Sequence, residues 1–439
     1  MTLRRYRHEW LVLALIALAT LPLVSVTEAQ DTSRLAMTES IVLRGHLDID
    51  PYWRLTTDRA FADGHWYSDK APGVALLAVP LVEVIRAIDA IFPPGRQRLV
   101  WQRPWPLWLI RLWTGGLAFL ALAFLVGRVA EGLRKGTGAV AAVTFGVGTM
   151  AGSLGPTMFG HLPDALALFA AFVLGTSATR PRDWLTVGLL AGVGVLFEYP
   201  AALAAVVLLV YAAIRGGRRA AVATIAGAVP PALALGAYDW IAFGAPWRLS
   251  YRYTDNVFTA QQHQGLFGVG LPTGHGIWAL LVDGHGLLLV SPVLLAAIAG
   301  LFLLGRERRL EAWAAAAIAA AFAVYTVGYF LPNGGLSPGP RFATAALPFL
   351  LLGLPFALAR QRWVTLLLAA ISVGVALFDE LTWSIANSLR FLAWPKTAWS
   401  MLGLSSEAGS LLLLGCGGAA ALVAAATVLR GGEPVRAVR

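Results

Sequence analysis

The basic residues of this chain come in clusters, and the clusters dictate how it can be threaded. They fall at Arg4/Arg5/Arg7, Arg128/Arg134/Lys135, Arg180/Arg182, Arg215/Arg218/Arg219, Arg306/Arg308/Arg309, Arg360/Arg362 and Arg430/Arg436/Arg439. Between them the sequence is nearly all apolar, in runs of about 20 residues, the length a helix needs to cross a hydrocarbon core. Lys and Arg in short loops mark the cytoplasmic side. With every cluster inside, an even number of spans must separate each from the next. From the second cluster onward, pairs fit: 137–156 and 159–178, 184–198 and 200–214, 219–240 and 286–304, 310–331 and 343–360, 363–379 and 409–429.

Three apolar stretches, 9–29, 74–93 and 106–128, lie between the first two clusters, and parity lets only two of them cross. Glu83, Arg86 and Asp89 interrupt 74–93, and such charges cost about 2.5–3.5 kcal/mol each at mid-membrane. We therefore read 74–93 as a helix at the outer surface or tucked among other helices. The first span reads as a retained signal-anchor, because VTEAQ offers no good small-residue cleavage site. The fold class expected is an all-α polytopic membrane protein, with about 12 transmembrane helices, both termini inside and an extracytoplasmic first loop bearing interfacial helices. An N-terminal module, 1–240, would carry outer loop 30–105; a C-terminal module, 241–439, would carry outer loops 241–285, 332–342 and 380–408. The polar chemistry is gathered on one side.

The composition fits: 58% hydrophobic, 13% charged, mean hydropathy +0.68, against about a quarter charged in soluble domains. The net charge of +10 reports topology, so no nucleic-acid partner is inferred. The one cysteine, Cys416, excludes an intramolecular disulfide and a Cys-rich metal site. There is no Walker loop, nucleophile elbow, H-E-x-x-H or dinucleotide fingerprint, which argues against nucleotide chemistry in the cytoplasm.

The stretch 30–72 stands out. It holds Asp31, Glu39, Asp48, Asp50, Asp58, Asp63 and Asp69, out of only 24 Asp and Glu in the chain. Asp31 emerges at the membrane surface and opens a helical pattern carrying Arg34; it is equally suited to a helix cap and to chemistry, while the other acids read as solvated or scaffold. In DGHWYSDKAPG, with His65 and Asp69, Lys70 sits at headgroup height, where it either snorkels or binds a lipid phosphate. Arg111 lies several residues inside a span, as an interfacial arginine or a functional one. His161 and Asp164 in FGHLPDALALF are three apart, a weak metal pair or a cap, and Glu198 and Tyr199 occupy another outward turn. After the Gly/Pro run 333–340, Arg341 opens a span at the outer interface, as suits an anionic substrate. In the aromatic loop 243–272, Trp247, Tyr251 or Tyr253 could stack on a sugar ring.

Four stretches together resemble the GT-C superfamily of polyprenyl-phosphate-sugar-dependent glycosyltransferases, whose members include protein O-mannosyltransferases and lipid A aminoarabinose transferases. DTSRLAMTESIVLRG resembles the acid-plus-helix segment after the first span. SDKAPG looks like the D/E-K-P-P element, with Ala71 in place of the first proline. Arg111-Leu112 matches the Arg-Leu that opens the next span, and GGLSPGPRFATAALPFL looks like the late GG-S-GPR-LPFL stretch. The resemblance implies a transferase that moves a sugar from a polyprenyl-phosphate donor to an extracytoplasmic glycan, lipid or protein acceptor by inverting displacement. Asp31 would be the general base, with Asp48 or Asp50 as rivals. Lys70, Arg111 and Arg341 would hold the lipid phosphate. Arg34, His65, Asp69, His161, Asp164, Glu198 and Tyr199 complete the cavity candidates, with room for a divalent metal whose ligands are unknown. The protein would sit among membrane lipids in a bacterial inner (plasma) membrane with its site facing outside. The alternative is a transporter or flippase for a lipid-linked or anionic substrate.

Overall fold

The computed structural model describes residues 7–24, 27–94, 99–335, 337–382 and 394–430. Arg4, Arg5, Arg436 and Arg439 of the terminal basic clusters, and the part 383–393 of outer loop 380–408, lie outside the described residues.

Helix α1 (Arg7–Thr20) leads into α2 (Ala29–Arg44). A two-stranded antiparallel hairpin follows, β1 (Arg59–Ala62) and β2 (His65–Ser68), in register from Arg59↔Ser68 to Ala62↔His65. Its turn is Asp63-Gly64, with φ of 49° and 86°; both left-handed values match the tight turn that suits the right-handed twist of two strands, which is why Asp-Gly stands there. Helix α3 (Gly73–Ile91) is the interrupted stretch 74–93. It packs on α2, and its charges are paired: Arg86 with Glu39, and Asp89 with Arg103 at 2.6 Å.

Helices α4 (Pro104–Arg111) and α5 (Leu117–Leu133) form one 30-residue run through a π turn at Leu112–Gly116. Next come α6 (Gly138–Val147), α7 (Ala151–Leu154), α8 (His161–Ser177), α9 (Pro181–Phe197) and α10 (Ala201–Phe243). Helix α10 is two helices meeting at Gly217, φ 71° and ψ −166°, between Arg215 and Arg218, where the arginine pattern puts a turn between two spans. The second half holds α11 (Thr259–Gln262), α12 (Gly274–Leu281), α13 (Leu287–Val290), α14 (Val293–Glu307), α15 (Arg309–Gly328), α16 (Leu347–Leu350), α17 (Leu354–Arg360), α18 (Arg362–Thr382), α19 (Ala398–Met401) and α20 (Ser406–Arg430). Residues Arg341–Ala346 form a 3₁₀ turn that continues into α16 and α17.

Among the described residues, six helical runs are long and apolar enough to cross a membrane: Pro104–Leu133, α10, α15, Arg341–Arg360, α18 and Ser406–Leu429. Shorter apolar helices lie at Glu9–Thr20, Gly138–Val147 and His161–Ser177, and α3 is not one of the six. The chain is thus a polytopic helical membrane protein; the six long runs among the described residues include α10, itself two helices, and the arginine pattern predicts about twelve spans.

There are two large apolar cores. One runs among the spans, from Val12 to Val428. The other lies under the hairpin, joining Leu35, Ile49, Tyr67, Val74, Trp101, Ile110 and Phe243. This second core buries α2. Every residue from Gln30 to Ser40 is buried, so α2 is enclosed by its neighbours and is not the surface helix that its polar sequence suggests.

Candidate active site

A buried helix carrying Asp31, Arg34 and Glu39 must satisfy each charge, and each partner comes from a different part of the chain. Arg111 donates to Asp31 Oδ2 from Nε at 2.9 Å and Nη2 at 2.6 Å, while the Met158 N–H donates to Oδ1 at 3.0 Å. Both side chains are 1% exposed. Arg111 ends α4 just before the π turn, the kind of local widening that re-aims a side chain. In that turn Gly115 sits so close to the Thr157 carbonyl that a Cβ would lie 2.3 Å from it. The same loop carries the Met158 N–H, so this close approach brings the Asp31 donor into place.

Arg34 donates to Glu198 Oε1 at 2.6 Å and to Gln30 Oε1 at 2.8 Å. His161 Nδ1 is 4.0 Å from the same Glu198 oxygen. His161 Nε2 and Asp164 Oδ1 are buried without a hydrogen-bond partner among the described residues. Tyr199 Oη lies 3.2 Å from Ser250 Oγ, which donates to the Asp69 backbone carbonyl at 2.8 Å. This network ties the ends of α8 and α9 to the segment after the hairpin.

The hairpin positions the next group. Continuing its register one step past Arg59↔Ser68 sets Asp58 opposite Asp69, so two carboxylates flank whatever follows. Lys70 follows, its Nζ 2.9 Å from Asp58 Oδ2 and 3.2 Å from Asp69 Oδ1. Burial pushes the Asp69 carboxyl up to about 6, although Lys70 draws it down. For Lys70, burial acts to lower the ammonium, but Asp58 and Asp69 outweigh it and hold it above its usual range.

Asp58, Asp69 and Lys70 line a cavity of about 350 Å³. The start of α2 contributes Glu28 to Gln30, the loop before α11 contributes Asn256 and Phe258, and the segment after α15 contributes Tyr329, Phe330 and Arg341. Three of the four outer loops read from the sequence therefore converge here. Arg341 Nε is buried without a hydrogen-bond partner among the described residues. Its guanidinium lies 5.2 Å from the Phe159 ring centroid and 5.6 Å from that of Phe342, which leaves an arginine held by aromatic faces. Gln262 accepts from the Tyr329 hydroxyl at 2.9 Å.

The structure brings Asp69, Lys70 and Arg341 together in the cavity. Asp31, Arg34, Arg111, His161, Asp164, Glu198 and Tyr199 are all buried and none lines it; Arg111 is engaged with Asp31. His65 lies elsewhere, 2.7 Å from Asp50. Asp48, Asp50 and His65 offer ligand atoms within 4.8 Å of one another, the one such group among the described residues. Their oxygens are already engaged: Arg44 takes both oxygens of Asp48 at 2.9 and 3.2 Å, and the Trp66 N–H donates to Asp50 at 2.7 Å. A divalent ion there would have to displace a guanidinium, outside the cavity, so this set does not fit a metal acting on a bound sugar.

Two features escape the sequence reading. Asp58, grouped there with scaffold acids, is a cavity wall; the Asp-Gly dipeptide in AFADGHWYS was the available signal, because it predicts the hairpin that mirrors Asp58 onto Asp69. The aromatic residues also differ. Trp247 is 78% exposed, Tyr251 meets Tyr199 edge-on and Tyr253 stacks on Phe243; the cavity takes Phe159, Phe258, Tyr329 and Phe330 instead, since residues 250–254 fold back onto the hairpin edge at Ala60↔Thr254.

Neither a family model nor a curated protein sequence matches the chain. Among solved structures it is similar to ArnT from Cupriavidus metallidurans bound to undecaprenyl phosphate, with a TM-score of 0.54 and 14% identity, over 97% of this chain and 75% of that one. The apo state of the same protein gives 0.50 and 15%, over 98% and 75%. It is also similar to the Archaeoglobus fulgidus oligosaccharyltransferase tethered with an acceptor peptide containing the NVT sequon, at 0.50 and 14%, over 99% of this chain but 56% of that one. At 14–15% identity these likenesses are of the fold alone, and at that level they agree with the resemblance drawn from the sequence.

Proposed function

We propose that the chain is a membrane glycosyltransferase that moves a sugar from a polyprenyl-phosphate donor to an extracytoplasmic acceptor hydroxyl, with Lys70 and the base supplied from residues 1–240, the module read from the sequence as catalytic, and Arg341 supplied from 241–439. The observation that carries this reading is the cavity with two cations: Lys70 between two carboxylates and Arg341, whose buried Nε has no hydrogen-bond partner among the described residues. A cavity-lining guanidinium whose buried Nε is an open donor suits an anion, and the likeness in fold to a protein bound to undecaprenyl phosphate supports a lipid phosphate as that anion.

In this reading the donor phosphate bridges Lys70 and Arg341. The acceptor oxygen attacks the anomeric carbon from the side opposite the phosphate; the new C–O bond forms as the bond to phosphate breaks, and polyprenyl phosphate departs as an anion whose charge the two cations stabilise. The proton goes to a carboxylate. Asp31 is the proposed base; its Oδ1 accepts only from the Met158 N–H and has room for a proton, but the carboxylate is buried behind the cavity wall, so it acts only when the cavity opens toward the start of α2. Asp58 and Asp69, already in the cavity, are its competitors. No step is routed through a metal. The protein works in a bacterial inner (plasma) membrane with the cavity outside.

The test is sugar transfer from radiolabelled polyprenyl-phosphate sugars by the purified protein. Lys70→Ala and Arg341→Ala are each expected to lower transfer by about 10²–10³-fold, the scale of losing one charge-stabilising donor, and Asp31→Asn to abolish it. Wild-type rates in both cation variants would refute the proposal. Full activity in Asp31→Asn, with loss in Asp58→Asn or Asp69→Asn, would move the base into the cavity.

A further inference from the structure

The hairpin has two unlike faces. Side chains alternate along a strand, so in β1 Ala60 and Ala62 are buried in the second core while Arg59 and Phe61 face outward. Phe61 pairs with Trp66 across the strands, their rings 4.8 Å apart. Trp53, from the 3₁₀ turn Trp53–Leu55, lies flat on Trp66, with centroids 4.7 Å apart and planes at 5°. Arg59 Cζ is 4.7 Å from the Trp53 centroid and 4.6 Å from that of Trp66, and Arg54 Cζ is 5.0 Å from Trp53. Two indoles and two guanidinium groups thus form a ladder on the open side of the hairpin.

Packing alone does not call for this ladder. Trp53 belongs to none of the apolar cores among the described residues, and among those residues neither Arg54 nor Arg59 has an ion-pair partner. The ladder is nonetheless rigid. Arg59 Nε donates to the Asp255 carbonyl at 3.2 Å and Nη1 to the Trp53 carbonyl at 3.0 Å, and the Trp66 N–H is held by Asp50. Rings ordered in advance spare a ligand that entropy. The ladder also adjoins the cavity: Thr57 and Asp58, just before Arg59, line it, as does Asn256, just after Asp255. Arg59 to Thr57 is about 7 Å of chain.

We propose that this ladder is a carbohydrate-binding surface that holds the acceptor, an oligosaccharide bearing acidic groups, with the end that receives sugar at the cavity. Indole planes match the C–H faces of pyranose rings, and guanidinium groups among them offer donors to hydroxyls and carboxylates. The exposed Asp63 and His65 at the hairpin tip suit water and sugar better than a bilayer. Calling the ligand the acceptor rests on the transferase reading; the surface itself does not.

The test is a printed array of neutral and of uronic-acid- or phosphate-bearing oligosaccharides, probed with the purified full chain in nanodiscs and no donor. Retention on acidic members is expected. Trp53→Ala should lower it by about tenfold or more, the scale of truncating an aromatic anchor, Trp53→Tyr should restore most of it, and Arg54→Gln should lower it as well should the alanine variant disturb folding. No retention, retention on neutral members alone, or retention indifferent to Trp53→Ala and Arg54→Gln would each overturn the proposal. A dye on Trp53→Cys in a Cys416→Ala background should be quenched by aqueous iodide; quenching by brominated lipids instead would give the ladder to the bilayer and overturn it too. Glycan retention by a protein that transfers no sugar would count against the transferase reading and leave the ladder standing, while transfer without retention would do the reverse.

Discussion

Asp69 is pushed up to about 6 because its carboxyl is buried, with Lys70 offsetting only part of that cost. The folded chain therefore holds a proton that an ordinary aspartate, at 3.8, has already released. Between about 4 and 6 the folded state binds more protons than the unfolded one, so this stabilisation is complete below that window and lost as pH rises through it. Asp69→Asn removes the effect: in detergent, the melting temperature of the wild type should fall relative to that of the variant as pH goes from about 4 to 6.5, and a constant gap would refute the assignment. Asp31 and Arg111 call for a different measurement. Arg111→Met should cost about 3–5 kcal/mol by stranding a buried carboxylate, while Asp31→Leu combined with Arg111→Met should regain most of that in melting. If the double variant also transferred sugar, Asp31 would be structural and not the base.

At the scale of elements, the hairpin decides where Lys70 goes. Gly64 has φ of 86° with nothing near its missing Cβ, so Gly64→Val meets strain but no clash. The expected cost is about 1–2 kcal/mol, read as a lower melting temperature, with a raised donor KM because the strands no longer hold Asp58 against Asp69. Asp63→Asn, which tolerates the same backbone, should leave both unchanged. This hairpin was legible in its Asp-Gly dipeptide and in the alternating RAFA and HWYS around it. The burial of α2 was not. Periodicity reads Asp31, Arg34 and Glu39 as a wet face, because their partners Arg111, Glu198 and Arg86 are remote in sequence, and pairing across such distances leaves no local pattern. For the same reason the sequence pointed to Lys70 and Arg341 as single residues, while the cavity that joins them depends on loop conformations that no spacing encodes.

For the whole molecule, the apolar runs between the arginine clusters made a polytopic helical membrane protein legible. The clusters predict which stretches cross in pairs, and α3, demoted for its three charges, is not among the six long apolar runs. The number of spans was less secure, since α1, α6 and α8 have 14, 10 and 17 residues, below the length at which composition alone marks a crossing. The topology makes a direct prediction. In a Cys416→Ala background, His65→Cys should react in intact cells with a thiol reagent that does not cross membranes, since residue 65 is exposed and the proposed orientation puts its loop outside. Labelling only after the cells are opened would turn the molecule over and place the cavity in the cytoplasm. The enclosure of α2 has a last consequence, for the order of synthesis. Its charges find partners at residues 86, 111 and 198, so the helix cannot settle when it first leaves the ribosome. At about 5–20 residues per second, Arg34 waits on the order of ten seconds for Glu198 to arrive. Until then the first outer loop is an unfinished surface with bare charges, and a chain stalled before α9 is one that quality-control proteases should find first.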